Sequence, residues 1–133
     1  MSDGVSAARA RLAALDGVPD TLYARMTRAV DAVADAAPGR GNGAVSSSTH
    51  EAGTHEAGPL DEPGLLAAAA LACLADALGH GDDRVAALHL LAADALLTVA
   101  CEAAADAADP VARIGALAER YSVARLAPLA ESG

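Results

Sequence analysis

Residues 82–108 read DDRVAALHLLAADALLTVACEAAADAA, a stretch with no Gly and no Pro that is dense in Ala and Leu. Gly and Pro interrupt helices, whereas Ala and Leu are among the best helix formers. One long helix is therefore predicted, capped by Asp82 or Asp83 and long enough to be the central helix of a small domain. Leu88, Leu91, Ala95, Val99 and Glu102 trace one side of it, and Leu90, Asp94, Leu97 and Cys101 trace another. Two apolar sides on one helix predict neighbours on both. Asp94 is the awkward charge, set among leucines. Buried, it would need a cation, with Arg84, Arg113 and Arg120 as candidate partners. Otherwise it faces a polar gap, or is the relic of an active-site wall. His89, between the two sides, reads as a structural histidine.

Outward from this stretch the chain reads as further helices. Val5, Ala8, Leu12 and Leu15 follow helical spacing, and Gly17 and Pro19 end that segment. Asp20 suits the N-cap of a second helix, with Leu22, Met26, Ala29, Val30 and Val33 as its apolar stripe. Asp61 and Pro63 open a third, which is expected to stop at Gly79. Leu66, Ala70, Cys73 and Ala77 form one line on it, with Leu74 and Leu78 beside them. Asp76 is its only charge before the end, which predicts enclosure on several sides. Asp109 and Pro110 start a fifth helix, with Ile114, Leu117 and Tyr121 apolar. Ser122 is placed to cap a last short helix, interrupted near Pro128. No segment alternates as a strand does, so the fold class is all-α: one domain over 1–133, a bundle of about five helices.

A linker over about 38–60 breaks this pattern, because its Gly, Ser, Thr and Asn cannot build a packed core. Inside it Thr49-His50-Glu51-Ala52-Gly53 is followed by a second copy, Thr54-His55-Glu56-Ala57-Gly58. Two His and two Glu could in principle hold a metal. Ordering a Gly-bearing loop is costly and the HExxH helical spacing is absent, so slippage in a tolerant loop is the simpler account.

Composition narrows the classes. The chain has 133 residues and is 53% hydrophobic, with two Tyr, no Trp and no Phe, and Ala dominates the apolar count. Such a core buries little area per residue, at about 25 cal/mol per Å². Self-association or docking on a helical protein partner is accordingly expected. All nine basic residues are Arg, against 18 Asp and Glu, for a net charge of -9. An acidic chain without Lys fits a salt-adapted host, where the screening length falls to about 3 Å at 1 M salt and self-repulsion is tolerated. A GC-rich genome would explain Arg in place of Lys but not the acidity. Nucleic acid is not an expected partner, because phosphate neutralisation needs basic patches and the Arg residues are scattered.

Cys73 and Cys101 lie in apolar helical text and read as buried thiols. The N-terminus, MSDGVSAARARLAAL, has no apolar signal core. No run of about 18 residues is free of charge and helix breakers, so no membrane span is expected. A soluble cytoplasmic protein is the expectation. There is no GxGxxG, P-loop, CxxC or GxSxG, and nothing is placed to activate Ser46 to Ser48. No cofactor and no catalytic residue is assigned; the residues of interest are Asp94, Asp82 and Asp83.

The segment Leu90-Leu91-Ala92-Ala93-Asp94-Ala95-Leu96-Leu97-Thr98-Val99-Ala100, continued by Glu102-Ala103-Ala104, resembles a helix of the trans-isoprenyl diphosphate synthases, the polyprenyl synthetase family. Glu62-Pro63-Gly64-Leu65-Leu66-Ala67-Ala68-Ala69 through Leu78-Gly79 is similar to another helix of that family. The resemblance is read over about half the chain, with the two quoted segments lying within residues 62–104. The resemblance implies an α-helical scaffold of the isoprenyl-synthase kind. The family holds diphosphate through Mg²⁺ on DDxxD motifs and through basic residues near a GKRxRP motif. Here the only adjacent aspartates are Asp82-Asp83, with no third carboxylate at the spacing needed to clamp the metal. Glu62, not Arg, precedes Pro63, and the chain is less than half the family's usual length. The implied role is structural or regulatory: a reduced bundle that keeps the scaffold without the chemistry. The alternatives are a prenyltransferase subunit that completes its site with another chain, and an unrelated helical interaction module.

Overall fold

The computed structural model describes residues 3–36, 60–81, 83–122, 126–128 and 131. The fold is all-α, with helices α1 (Asp3–Ala13), α2 (Asp20–Ala36), α3 (Glu62–His80), α4 (Arg84–Ala105) and α5 (Pro110–Arg120). The tandem repeat at 49–58, most of the expected linker, and Asp82 lie outside the described residues.

Most helix starts follow the sequence, but Asp20, expected as the N-cap of α2, is already its first helical residue. The side chains of Asp61, Asp83 and Asp109 accept from the backbone N–H groups of Gly64, Ala86 and Ala112, three residues on. Each satisfies a donor that has no partner inside its helix. Pro63 and Pro110 fall in first turns, where a missing N–H costs nothing. The stop of α3 differs from expectation. Gly79 stays helical, and the chain leaves the helix at Gly81, whose φ of 69° a side chain would resist. The connection from Gly81 to Asp83 is short enough that α3 and α4 fold back as an antiparallel pair.

This pair is the centre of the molecule. α3 touches α1, α2, α4 and α5, and α4 also touches α2 and α5. Leu65, Leu66, Ala67, Ala69, Ala70, Cys73 and Ala77 of α3 are buried, which matches the expected enclosure. Ala8 and Leu12 of α1, and Met26 and Val30 of α2, close one side of the core, as their spacing predicted. From α5, Leu117 is buried and the Tyr121 hydroxyl donates to the Ala67 carbonyl at 3.0 Å. Ile114 does not join them; it is exposed.

Both α3 and α4 are long and apolar enough to cross a membrane by length and composition. Here they are the core helices of the bundle, and each turns its buried face to the other.

Arginine ties the periphery together. Arg11 of α1 reaches Glu62 at the start of α3 and Asp106 just past α4. Arg9 pairs with Asp31 of α2, and Arg113 of α5 donates to the Asp61 cap of α3 at 2.9 Å. α1 also approaches the entry to α3 closely at Gly4, where a Cβ would lie 2.7 Å from the Leu60 carbonyl oxygen. Only glycine admits that contact without a shift of α1.

Candidate functional site

Helix α4 buries a face on which Leu96 is the one fully buried leucine. The buried residues are Ala86, His89, Ala92, Ala93, Leu96, Val99, Ala100, Ala103 and Ala104. Six of these nine are alanines. Small side chains let two helices approach closely and gain contact along their length. The opposite arc is open: Leu90 is 53% and Leu91 57% exposed, and Ala87, Asp94, Thr98, Cys101 and Glu102 are exposed with them. The expectation of neighbours on two sides of α4 is thus corrected. One face packs, chiefly through Ala with Leu96 and Val99, and Ala95 and Leu97 are partly covered at its edges, whereas the arc bearing Leu90 and Leu91 is open.

The three aspartates of interest separate accordingly. Asp83 is the α4 N-cap, its carboxylate engaged by the Ala86 N–H. Asp94 stands exposed in the middle of the open arc, and the Thr98 hydroxyl donates to its backbone carbonyl at 3.0 Å. None of Arg84, Arg113 and Arg120 pairs with it among the described residues, and Arg113 is engaged by Asp61. Asp82 is not described. Of the two thiols, Cys73 is buried and Cys101 is exposed, which corrects the expectation for Cys101. Burial, with Asp76 nearby, pushes the Cys73 thiol up to about 11.

A polar cluster that sequence spacing does not reveal sits where α2 meets the end of α3 and the first turns of α4. His89 is 5% exposed. The Arg25 Nη1 lies 3.3 Å from its Nε2 and 3.5 Å from its Nδ1. Such even distances place the guanidinium over the ring face rather than on one lone pair. The His80 ring is 5.0 Å away, tilted by 30°, and its Nδ1 donates to the Asp76 carbonyl at 2.8 Å. The Asp76 carboxylate is 3.9 Å from His89 Nδ1, too far for a hydrogen bond. Burial, then Arg25, hold the His89 pKa below its ordinary value, against the pull of Asp76. A covered, neutral imidazole under a guanidinium is a packing element, not an accessible general base. Among the described residues, no group of three or more His, Cys, Asp or Glu is placed to hold a metal ion.

No family model, curated protein or solved structure matches the chain significantly.

Proposed function

We propose that this chain is a non-catalytic helical scaffold of the isoprenyl-synthase-like kind, whose working surface is the open face of α4 and whose partner is another helical protein surface. One observation carries the reading. Leu90 and Leu91 stand more than half exposed on the helix that supplies the largest share of the core. Neighbouring exposed leucines on an otherwise well-packed helix are a contact surface in waiting, because covering them removes apolar area from water. The single carboxylate among them, Asp94, is solvated and has no second carboxylate beside it to clamp a divalent ion. The acidic, lysine-free composition suits a scaffold that works in concentrated salt.

The test is calorimetric titration of the chain with Mg²⁺ and a prenyl diphosphate in high salt, alone and mixed with a full-length prenyl synthase. No binding heat and no added turnover are expected. Saturable, Mg²⁺-dependent binding of the diphosphate would overturn the scaffold reading in favour of a prenyltransferase subunit.

A further inference from the structure

Helix α2 is held to the α3–α4 pair by two kinds of contact. Met26 and Val30 are fully buried in the core, and Arg25, next to Met26, lies over the His89 ring of α4. The apolar contact is indifferent to pH. The polar one is not, because a guanidinium stays charged throughout while an imidazole gains its charge in the weakly acidic range.

The groups around His89 allow two arrangements. Arg25 faces the ring from α2, Asp76 and His80 from α3, and Asp83 from the cap of its own helix. With the ring neutral, Arg25 covers it. With the ring protonated, Arg25 is repelled. The Asp76 carboxylate, 3.9 Å from Nδ1 and 61% exposed, then has room to close by about 1 Å and accept the new N–H. Two neighbours favour the same exchange. The Arg25 Nε is buried without a hydrogen-bond partner among the described residues, so its release to water relieves an unsatisfied donor. The His80 ring, 5.0 Å from His89, adds positive charge to the site once protonated. An α2–α4 contact is thereby replaced by an α3–α4 contact. α3 and α4 already share the most extensive interface of the bundle, so the loss falls on α2.

We propose that His89 is a pH-operated latch on α2: in mild acid it exchanges Arg25 for Asp76, and α2 lifts from the α3–α4 pair while that pair stays folded. Opening bares the apolar stripe of α2 around Met26 and Val30, together with the part of α3 it covers. Burial and Arg25 delay protonation of the ring, so the latch stays closed near neutral pH. The latch is independent of the scaffold reading and does not fail with it.

Met26 reports the opening directly. It is fully buried on α2, and peroxide converts an accessible thioether to the sulfoxide. The full chain is treated with dilute hydrogen peroxide in steps from about pH 7.5 to about pH 5, across the histidine range. Oxidation of Met26 is followed by peptide mass spectrometry, and each rate is divided by that of free methionine under the same conditions. The ratio should rise roughly tenfold or more toward acid, while the amides of α3 and α4 keep their protection from hydrogen exchange. His89→Gln and Arg25→Leu should each give a ratio that does not change with pH, and either carries the test if the other does not fold. Asp76→Asn removes the acceptor of the protonated ring and should move the rise to lower pH. A flat ratio in the unaltered chain would overturn the latch, as would a rise that persists in His89→Gln or Arg25→Leu. Met26 oxidation that begins only as α3 and α4 lose protection would show global unfolding in its place. An unmoved rise in Asp76→Asn would overturn the exchange of partners.

Discussion

The guanidinium of Arg25 lies over the imidazole of His89, with Nη1 3.3 Å from Nε2 and 3.5 Å from Nδ1. This contact joins α2 to the start of α4, and it depends on the ring being neutral. A protonated His89 would set two cations face to face in a site where the Arg25 Nε is already buried without a hydrogen-bond partner among the described residues. His80, Asp76 and Asp83 also face the ring, and the two carboxylates only partly offset the burial and Arg25.

Acid sensitivity follows from that contact. The His89 pKa in the fold is lowered from 6.5, so the unfolded chain takes up the proton first. Stability is therefore unaffected by this group above about 6.5 and falls as the pH drops below it, toward the lowered value. Urea unfolding at stepped pH should show this loss, and His89→Gln should flatten it. An unchanged slope in His89→Gln would assign the loss to other groups.

The two faces of α4 should respond differently to truncation. Leu96 is wholly buried, and Leu96→Ala should cost about 2–5 kcal/mol through lost contacts and the cavity left behind. Leu91→Ala, on the open face, should change the stability of the dilute chain by no more than about 0.5 kcal/mol. Thermal melts at low protein concentration compare the two. Equal losses would place Leu91 inside the fold.

Arg11 joins three elements, α1 to Glu62 and to Asp106. Its guanidinium pKa is raised, first by the Glu62 hydrogen bond, and Glu62 is itself mostly covered. Arg11→Met keeps the apolar stem and removes the charge, leaving Glu62 without its cation. A loss of about 2 kcal/mol is expected in urea unfolding. High salt should restore little of it if the pair is shielded from solvent.

Asp94→Leu separates folding from association. The carboxylate is exposed and unpaired among the described residues, so the dilute chain should keep its stability to within about 0.5 kcal/mol. The same change adds apolar area to the open face that the scaffold reading assigns to a partner. Sedimentation should then show tighter association that depends less on salt.

Local chemistry was legible from the chain alone. Asp61, Asp83 and Asp109 each begin a helix because an Asp side chain can take the N–H three residues on, whatever lies further away. The stripes on α1 and α2 were equally clear, since Leu12, Met26 and Val30 are large, apolar and regularly spaced. The α3 terminus was misread because two glycines stand two positions apart, and only the backbone turn distinguishes Gly81 from Gly79.

The orientation of α4 was not legible. Leucine marks a face as apolar, and on that criterion alone the sides bearing Leu90 and Leu91 looked destined for neighbours. The fold instead buries the side lined by Ala92, Ala93, Ala100, Ala103 and Ala104. Alanine carries little area for burial but lets two backbones approach, and this advantage exists only once α3 lies alongside.

The sequence by itself determined that the chain is helical, where most of its helices begin, and that its core is poor in large side chains. Propensity, capping and composition act within a few residues, so they can be read in order along the chain. Tertiary structure alone decided which face of α4 is open, that Arg25 covers His89, and that Asp94 is solvated rather than buried. Each of these depends on residues far apart in sequence competing for the same space, and no local pattern records the outcome of that competition.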